Sequence, residues 1–187
     1  MTQVFKLKTV HKEQSGIGLS NFSDDTSYMT YFLWDIDGVF NPFMATDLIE
    51  RGFVHFDQDW ISWDLDLLNH GAWMRNLETK GKFVWASSWG DDSNALIKWF
   101  HLDSLHYPYI PLQMNDNHEG TWKLASVKDW VENQIPANEK VVWVDDEVED
   151  DAVLWVDSRP NTLLVRTDPA VGLTEQQYQR ILDFLAS

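Results

Sequence analysis

The sequence predicts an α/β protein built on a doubly wound parallel sheet of about five strands, with helices on both faces. Apolar runs at Tyr31–Asp35, Phe83–Ala86, Val141–Val144 and Thr162–Val165 alternate with segments of helical spacing. Unbroken apolar runs of that length suit parallel strands covered on both sides. Chemistry-bearing residues also stand at or just past the ends of these runs: Asp35 and Asp37, Ser87, and Asp145 with Asp146. A doubly wound sheet places its site at the carboxyl ends of its strands.

Residues 1–28 are of mixed polarity, with Ser, Asn, Asp and Gly from Ser15 to Ser27. Lacking a sustained period, they read as an N-terminal extension to a domain spanning 29–187. Tyr31–Asp35 is the first strand, broken by Asp37-Gly38. Between 40 and 63, Asn41-Pro42, Arg51-Gly52 and the alternation through Phe53, His55 and Phe56 predict a flap or hairpin rather than a long helix. Leu68, Ala72 and Leu77 place a helix over Leu65–Lys80, stopped by Gly81. Phe83–Ala86 is the next strand. Asp91–His101 is a helix capped by Asp91 or Asp92, with Ala95, Ile97, Trp99 and Phe100 as its apolar surface. Tyr109–Leu112 is a short strand. Thr121 is the expected N-cap of a helix to about Gln134, with Lys123 in its first turn. A lysine there opposes the helix dipole, and an anion to bind would explain it. After the strand at Val141–Val144 come a short helix over Asp150–Val156, a strand at Thr162–Val165 and a final helix whose capping box is Thr174 with Gln177.

The chain has 187 residues, enough for one well-buried domain. Its net charge of -16 sets a mean field that repels extended duplex DNA and anionic membrane, so any nucleic-acid contact is local. Zero cysteines exclude disulfides and Cys-ligated metal centres. No apolar run approaches the ~20 residues that cross a bilayer, and the N-terminus has no signal-like apolar core; a cytoplasmic protein is expected. Most of the 11 tryptophans, among them Trp34, Trp85 and Trp143, fall in strand runs and are core. Trp60, Trp63 and Trp89 fall in turn-like segments and are candidates for contact with substrate. His55, His101, His106 and His118 form no metal-binding spacing.

Together the clusters outline phosphoryl transfer. Asp35 is placed to attack phosphorus, and Asp37 to protonate the leaving oxygen and then deprotonate water. Ser87, or Ser88 beside it, donates to the phosphate, and Lys123 offsets its charge. Carboxylates of Asp35, Asp37, Asp145 and Asp146 converging at one site would repel one another unless a divalent cation joined them. An all-oxygen set suits Mg²⁺, and zinc is disfavoured because no histidine accompanies it. Asp150 is a candidate for indirect support.

These residues resemble the haloacid dehalogenase-like (HAD) hydrolase superfamily over about Tyr31 to Leu185. Asp35-Ile36-Asp37-Gly38-Val39 is similar to its first motif, Ser87 to its second, Lys123 to its third, and Asp145-Asp146 with Asp150 to its fourth. The resemblance implies a three-layer Rossmann-like sheet of order 5-4-1-2-3 with a flap after the first strand, and Mg²⁺ as cofactor. Asp37 stands where dehalogenases lack an aspartate and ion pumps carry threonine, which favours phosphate-ester hydrolysis. Receiver domains carry similar groups but place the acidic pair first, whereas here it comes last. The gaps from Asp37 to Ser87 and from Ser87 to Lys123 are too short for a large cap domain. A finer resemblance, carried by Trp34–Pro42, Trp85–Trp89 with Asn94, and Gly172–Thr174, is to short cap-less HAD domains of RNA-repair proteins. Gly38, Ser87, Ser88, Trp89 and Asn94 are thus the candidates for substrate contact. The expected activity is a Mg²⁺-dependent phosphatase working through an aspartyl-phosphate. Its expected substrate is a phosphorylated small molecule or nucleotide, ahead of a phosphorylated nucleic-acid end. A non-catalytic binding or regulatory module that keeps the fold is the competing reading.

Overall fold

The computed structural model describes residues 29–58, 61–113 and 119–187. The expected extension at 1–28, Trp60 and His118 lie outside the described residues. The core is a parallel sheet in the order β4-β1-β5-β6, formed by Thr30–Trp34 (β1), Gly81–Trp85 (β4), Lys140–Asp145 (β5) and Thr162–Arg166 (β6). A separate antiparallel hairpin, Val54–Gln58 (β2) and Ile61–Leu65 (β3), is the flap that the sequence predicts after the first strand.

Alternation along the strands divides the core in two. From β1, Phe32 and Trp34 face one side with Phe83 and Trp85 of β4 and Val142 and Val144 of β5. That side is covered by Asn69–Glu78 (α1), Ala95–Phe100 (α2) and Glu175–Ala186 (α5), through Met74, Leu77, Leu96, Phe100 and Ile181. Leu33, Val84, Val141 and Trp143 face the other side, beneath Leu124–Gln134 (α3) and Asp150–Ser158 (α4), where Val127, Val131, Ala152 and Trp155 meet them. β1 pairs on both edges, and Phe32, Leu33 and Trp34 have no exposed surface. Each such side chain contributes ~1.5–3 kcal/mol of apolar burial, which anchors the strand that leads into Asp35.

Several expectations are corrected. Among the described residues the sheet has four strands where about five were expected, and Tyr109 makes only an isolated bridge to Trp85. Trp85 N–H donates to Pro108 O and Ile110 N–H to Trp85 O, but Pro108 has no N–H with which to extend the ladder toward Phe83. The helix expected from Leu65 starts at Asn69: Leu65 ends β3, and Asp66 Oδ1 accepts from Leu68 N and Asn69 N at 3.1 and 2.9 Å. The helix expected over Asp91–His101 is a 3-10 turn, Gly90–Asn94, followed by α2, with no side-chain cap on either. His101, at φ 53, ends it. The capping box of α5 forms as expected, with Thr174 and Gln177 bonded reciprocally. Buried His70 of α1 bonds Leu173 O through Nε2 at 2.8 Å, fixing the loop ahead of α5, and burial holds its pKa below the usual histidine value. Among the described residues, no helix is long and apolar enough to cross a membrane.

Candidate active site

Asp35 follows β1 directly, its N–H bonded to Val144 O at 3.0 Å. The chain then folds tightly, with Ile36 O accepting from the N–H groups of Val39, Phe40 and Asn41. Gly38 sits at φ 70, and a Cβ there would lie 2.2 Å from Asp146 Cγ. Only glycine admits both the left-handed backbone and that approach. Asp145 ends β5, so the same sheet edge delivers the first and last acidic clusters.

Lys123 enters from α3. It is the N-cap residue rather than a first-turn residue, and Thr121 does not cap the helix as expected. Thr121 Oγ1 instead donates to Asp151 Oδ1 at 2.7 Å and accepts from Glu149 N at 2.7 Å. Asp151 also receives Thr121 N–H, so it locks the loop carrying Lys123 to the loop carrying Asp145 and Asp146. Its neighbour Asp150, the residue expected to give indirect support, is exposed.

The Lys123 ammonium pairs with Asp35 Oδ2 and lies 2.9 Å from Asp145 Oδ2, with its side chain only 2% exposed. Trp143 Nε1 and Glu147 N also donate to Asp145, at 3.2 and 3.0 Å. Among the described residues, Asp35, Asp145 and Asp146 form the group whose oxygens lie within 4.8 Å of one another. Burial, then the charge of Asp145, pushes the Asp35 pKa up to about 7, against the pull of Lys123. Burial, then Asp35, raises Asp146 to about 6, and burial raises Asp145. Burial alone would lower the Lys123 pKa; attraction to Asp35 and Asp145 outweighs it and leaves it raised. The site therefore holds carboxylates that are expensive to ionise together and one captive cation.

The group opens into a cleft of about 430 Å³, also lined by Asp37, Asn41, Phe43, Ser62, Ser88, Trp89, Trp122 and Glu147. Several sequence candidates stand elsewhere than expected. The Asp37 carboxylate is not in the acidic group, because Asn41 Nδ2 and Trp89 Nε1 each donate to one of its oxygens at 2.7 Å. Ser87 is 1% exposed, with Oγ 3.5 Å from Trp89 N, whereas Ser88 lines the cleft. Asn94 is absorbed by the framework: its side chain bonds Trp85 Nε1, Asp91 Oδ1 and the backbone of Tyr107. Trp63 is fully enclosed and unavailable for stacking.

The sequence reading missed Asn41, Phe43, Trp122 and Asp151. Trp122 and Asp151 had a signal in their adjacency to Lys123 and Asp150. Asn41 carried a signal only as part of the flap and of the Trp34–Pro42 motif, and Phe43 carried none.

The family model for the HAD domain in Swiss Army Knife RNA repair proteins matches residues 31–178. The chain belongs to this family of HAD domains. Searches of curated proteins and of solved structures found no match. Membership in the HAD family accounts for the site lying at the carboxyl ends of β1 and β5, and it supports a HAD-type hydrolase with a connection to RNA repair.

Proposed function

We propose that this HAD domain is a Mg²⁺-dependent phosphatase that removes a phosphate monoester from a nucleic-acid end through an aspartyl-phosphate on Asp35. The observation that carries the reading is the buried contact of Asp35 with Lys123 and Asp145, beside Asp146, at the base of a cleft lined by Asp37.

Asp35, Asp145 and Asp146 fit a hard divalent cation: each offers a carboxylate oxygen, and their mutual repulsion and burial are relieved by positive charge. Bound Mg²⁺ would supply Lewis-acid neutralisation of phosphate charge. In the first step an Asp35 oxygen bonds phosphorus as the ester P–O bond breaks, and Asp37 gives its proton to the departing oxygen. In the second, Asp37 takes a proton from water, whose oxygen bonds phosphorus as the P–O bond to Asp35 breaks and its carboxylate returns. Lys123 offsets the charge at the nucleophile throughout.

The family's RNA-repair connection puts the nucleic-acid end ahead of a small metabolite. The charge of the cleft's lining favours a contact confined to that end. Its lining includes Asp35, Asp37, Asp146 and Glu147 against Lys123, so further backbone phosphates gain little there. Phe43 is 55% exposed, and Trp122 is held by its Nε1 bond to Glu147 Oε2 at 2.6 Å, leaving aromatic surface beside the phosphate position. Because a stacked base is worth ~1–3 kcal/mol, Phe43→Ala or Trp122→Ala should lower kcat/KM for a phosphorylated oligonucleotide about five- to a hundredfold more than for a small ester. Matched losses on both substrates would remove stacking as the means of recognition.

Screening phosphate esters that include 3′- and 5′-phosphorylated oligonucleotides tests the reading directly. Turnover should disappear in EDTA and return with Mg²⁺. Ca²⁺, which takes more ligands at longer distances, should bind with little turnover. Full activity in excess chelator would eliminate the proposed cofactor.

A further inference from the structure

The flap hairpin reaches the Asp37 carboxylate by two separate routes. Along one, Asn41 Nδ2 donates to Asp37 Oδ1 at 2.7 Å while Asn41 Oδ1 accepts the backbone N–H of Asp64, on β3, at 3.0 Å. Along the other, Trp89 Nε1 donates to Asp37 Oδ2 at 2.7 Å, and the Trp89 ring packs 5.6 Å from that of Trp63, also on β3. Asn41 is itself anchored. It is buried, its N–H donates to Ile36 O at 3.0 Å, and its own carbonyl accepts from Gly38 N and Phe43 N, each at 2.8 Å.

We infer that Asn41 and Trp89 are positioning residues that couple the flap to Asp37, so that the seating of β3 sets the orientation of the proton-carrying carboxylate. The inference rests on the role given to Asp37 above. A carboxyl group has about four lone-pair positions, and the two N–H donors claim one on each oxygen. A transferable proton must then occupy a remaining position, and Asp37 lines the cleft where the leaving oxygen would stand. Moving β3 disturbs both donors together, since one is reached through a hydrogen bond and the other through ring packing.

Trp89→Phe keeps a ring against Trp63 and deletes the N–H. In this variant kcat for an alkyl phosphate should fall at least about tenfold further than kcat for an ester with a very good leaving group, which needs little proton transfer. In an Asp37→Asn background the same substitution should add no such difference, because coupled groups are non-additive. Equal losses on both esters, or additive losses in the double variant, would overturn the positioning role. A second measurement does not depend on turnover. Asp37→Asn replaces one acceptor oxygen by an amide, so hydrogen exchange at the Asp64 N–H should quicken about tenfold as its link through Asn41 loosens. Unchanged exchange overturns the coupling. Faster exchange in Asp37→Asn, with the wild-type protein inactive on both esters, supports the coupling and removes the phosphatase reading alone.

Discussion

Asp35→Asn is expected to reduce phosphatase turnover by at least about 10³-fold, because the amide keeps the carboxylate's shape but is a far weaker nucleophile. The fold should not suffer. In the metal-free protein Asp35 is buried, faces Asp145 and has its pKa pushed up to about 7. Folded protein thus retains a proton that the unfolded chain releases near pH 4, so between about pH 4 and 7 this group lowers stability as pH rises. An uncharged amide has no such dependence. In EDTA at neutral pH the variant should unfold at a urea concentration no lower than wild type. Substantial turnover by the folded variant would show that Asp35 is not the nucleophile.

Lys123→Met is expected to cost about 3–5 kcal/mol of stability in the metal-free protein, the usual penalty for stranding a buried charge. Its ammonium is the cation that meets both Asp35 and Asp145, and the thioether that replaces it can answer neither. The double variant Lys123→Met/Asp35→Asn should recover part of the loss, since one of the stranded carboxylates is gone. Chemical denaturation of the four proteins reads this coupling. Strictly additive effects would mean that Lys123 and Asp35 do not stabilise one another. Turnover should also be lost in Lys123→Met, because no other described side chain lining the cleft carries a positive charge to offset that of the phosphate and nucleophile.

Much of the frame was legible because burial writes a period into sequence. The apolar runs at Tyr31–Asp35 and Val141–Val144 mark strands covered on both faces, and Thr174 with Gln177 marks a helix start through bonds made within one turn. Asp35, Lys123, Asp145 and Asp146 were legible for a related reason: each stands at a strand end or a helix start, the positions that a doubly wound sheet gathers at its carboxyl edge. Tyr109–Leu112 misled because apolar character suggests a strand, whereas the proline at 108 limits how far the ladder can run. Thr121 misled because a nearby carboxylate, Asp151, outcompeted the helix for its hydroxyl.

The sequence by itself therefore determined the α/β alternation, the family and the acidic and basic groups of the site. Only the tertiary structure decided how those groups are occupied: that Asp37 is held by Asn41 and Trp89, that Asn94 is spent on the framework, that Ser88 rather than Ser87 lines the cleft, and that Trp63 is sealed while Trp122 is presented. The physical reason is that a residue's type states which bonds it can make, whereas its partner is set by competition among groups far apart in the chain. Trp89 and Asp37 are 52 residues apart, and Lys123 and Asp35 are 88 apart; no local pattern records either meeting.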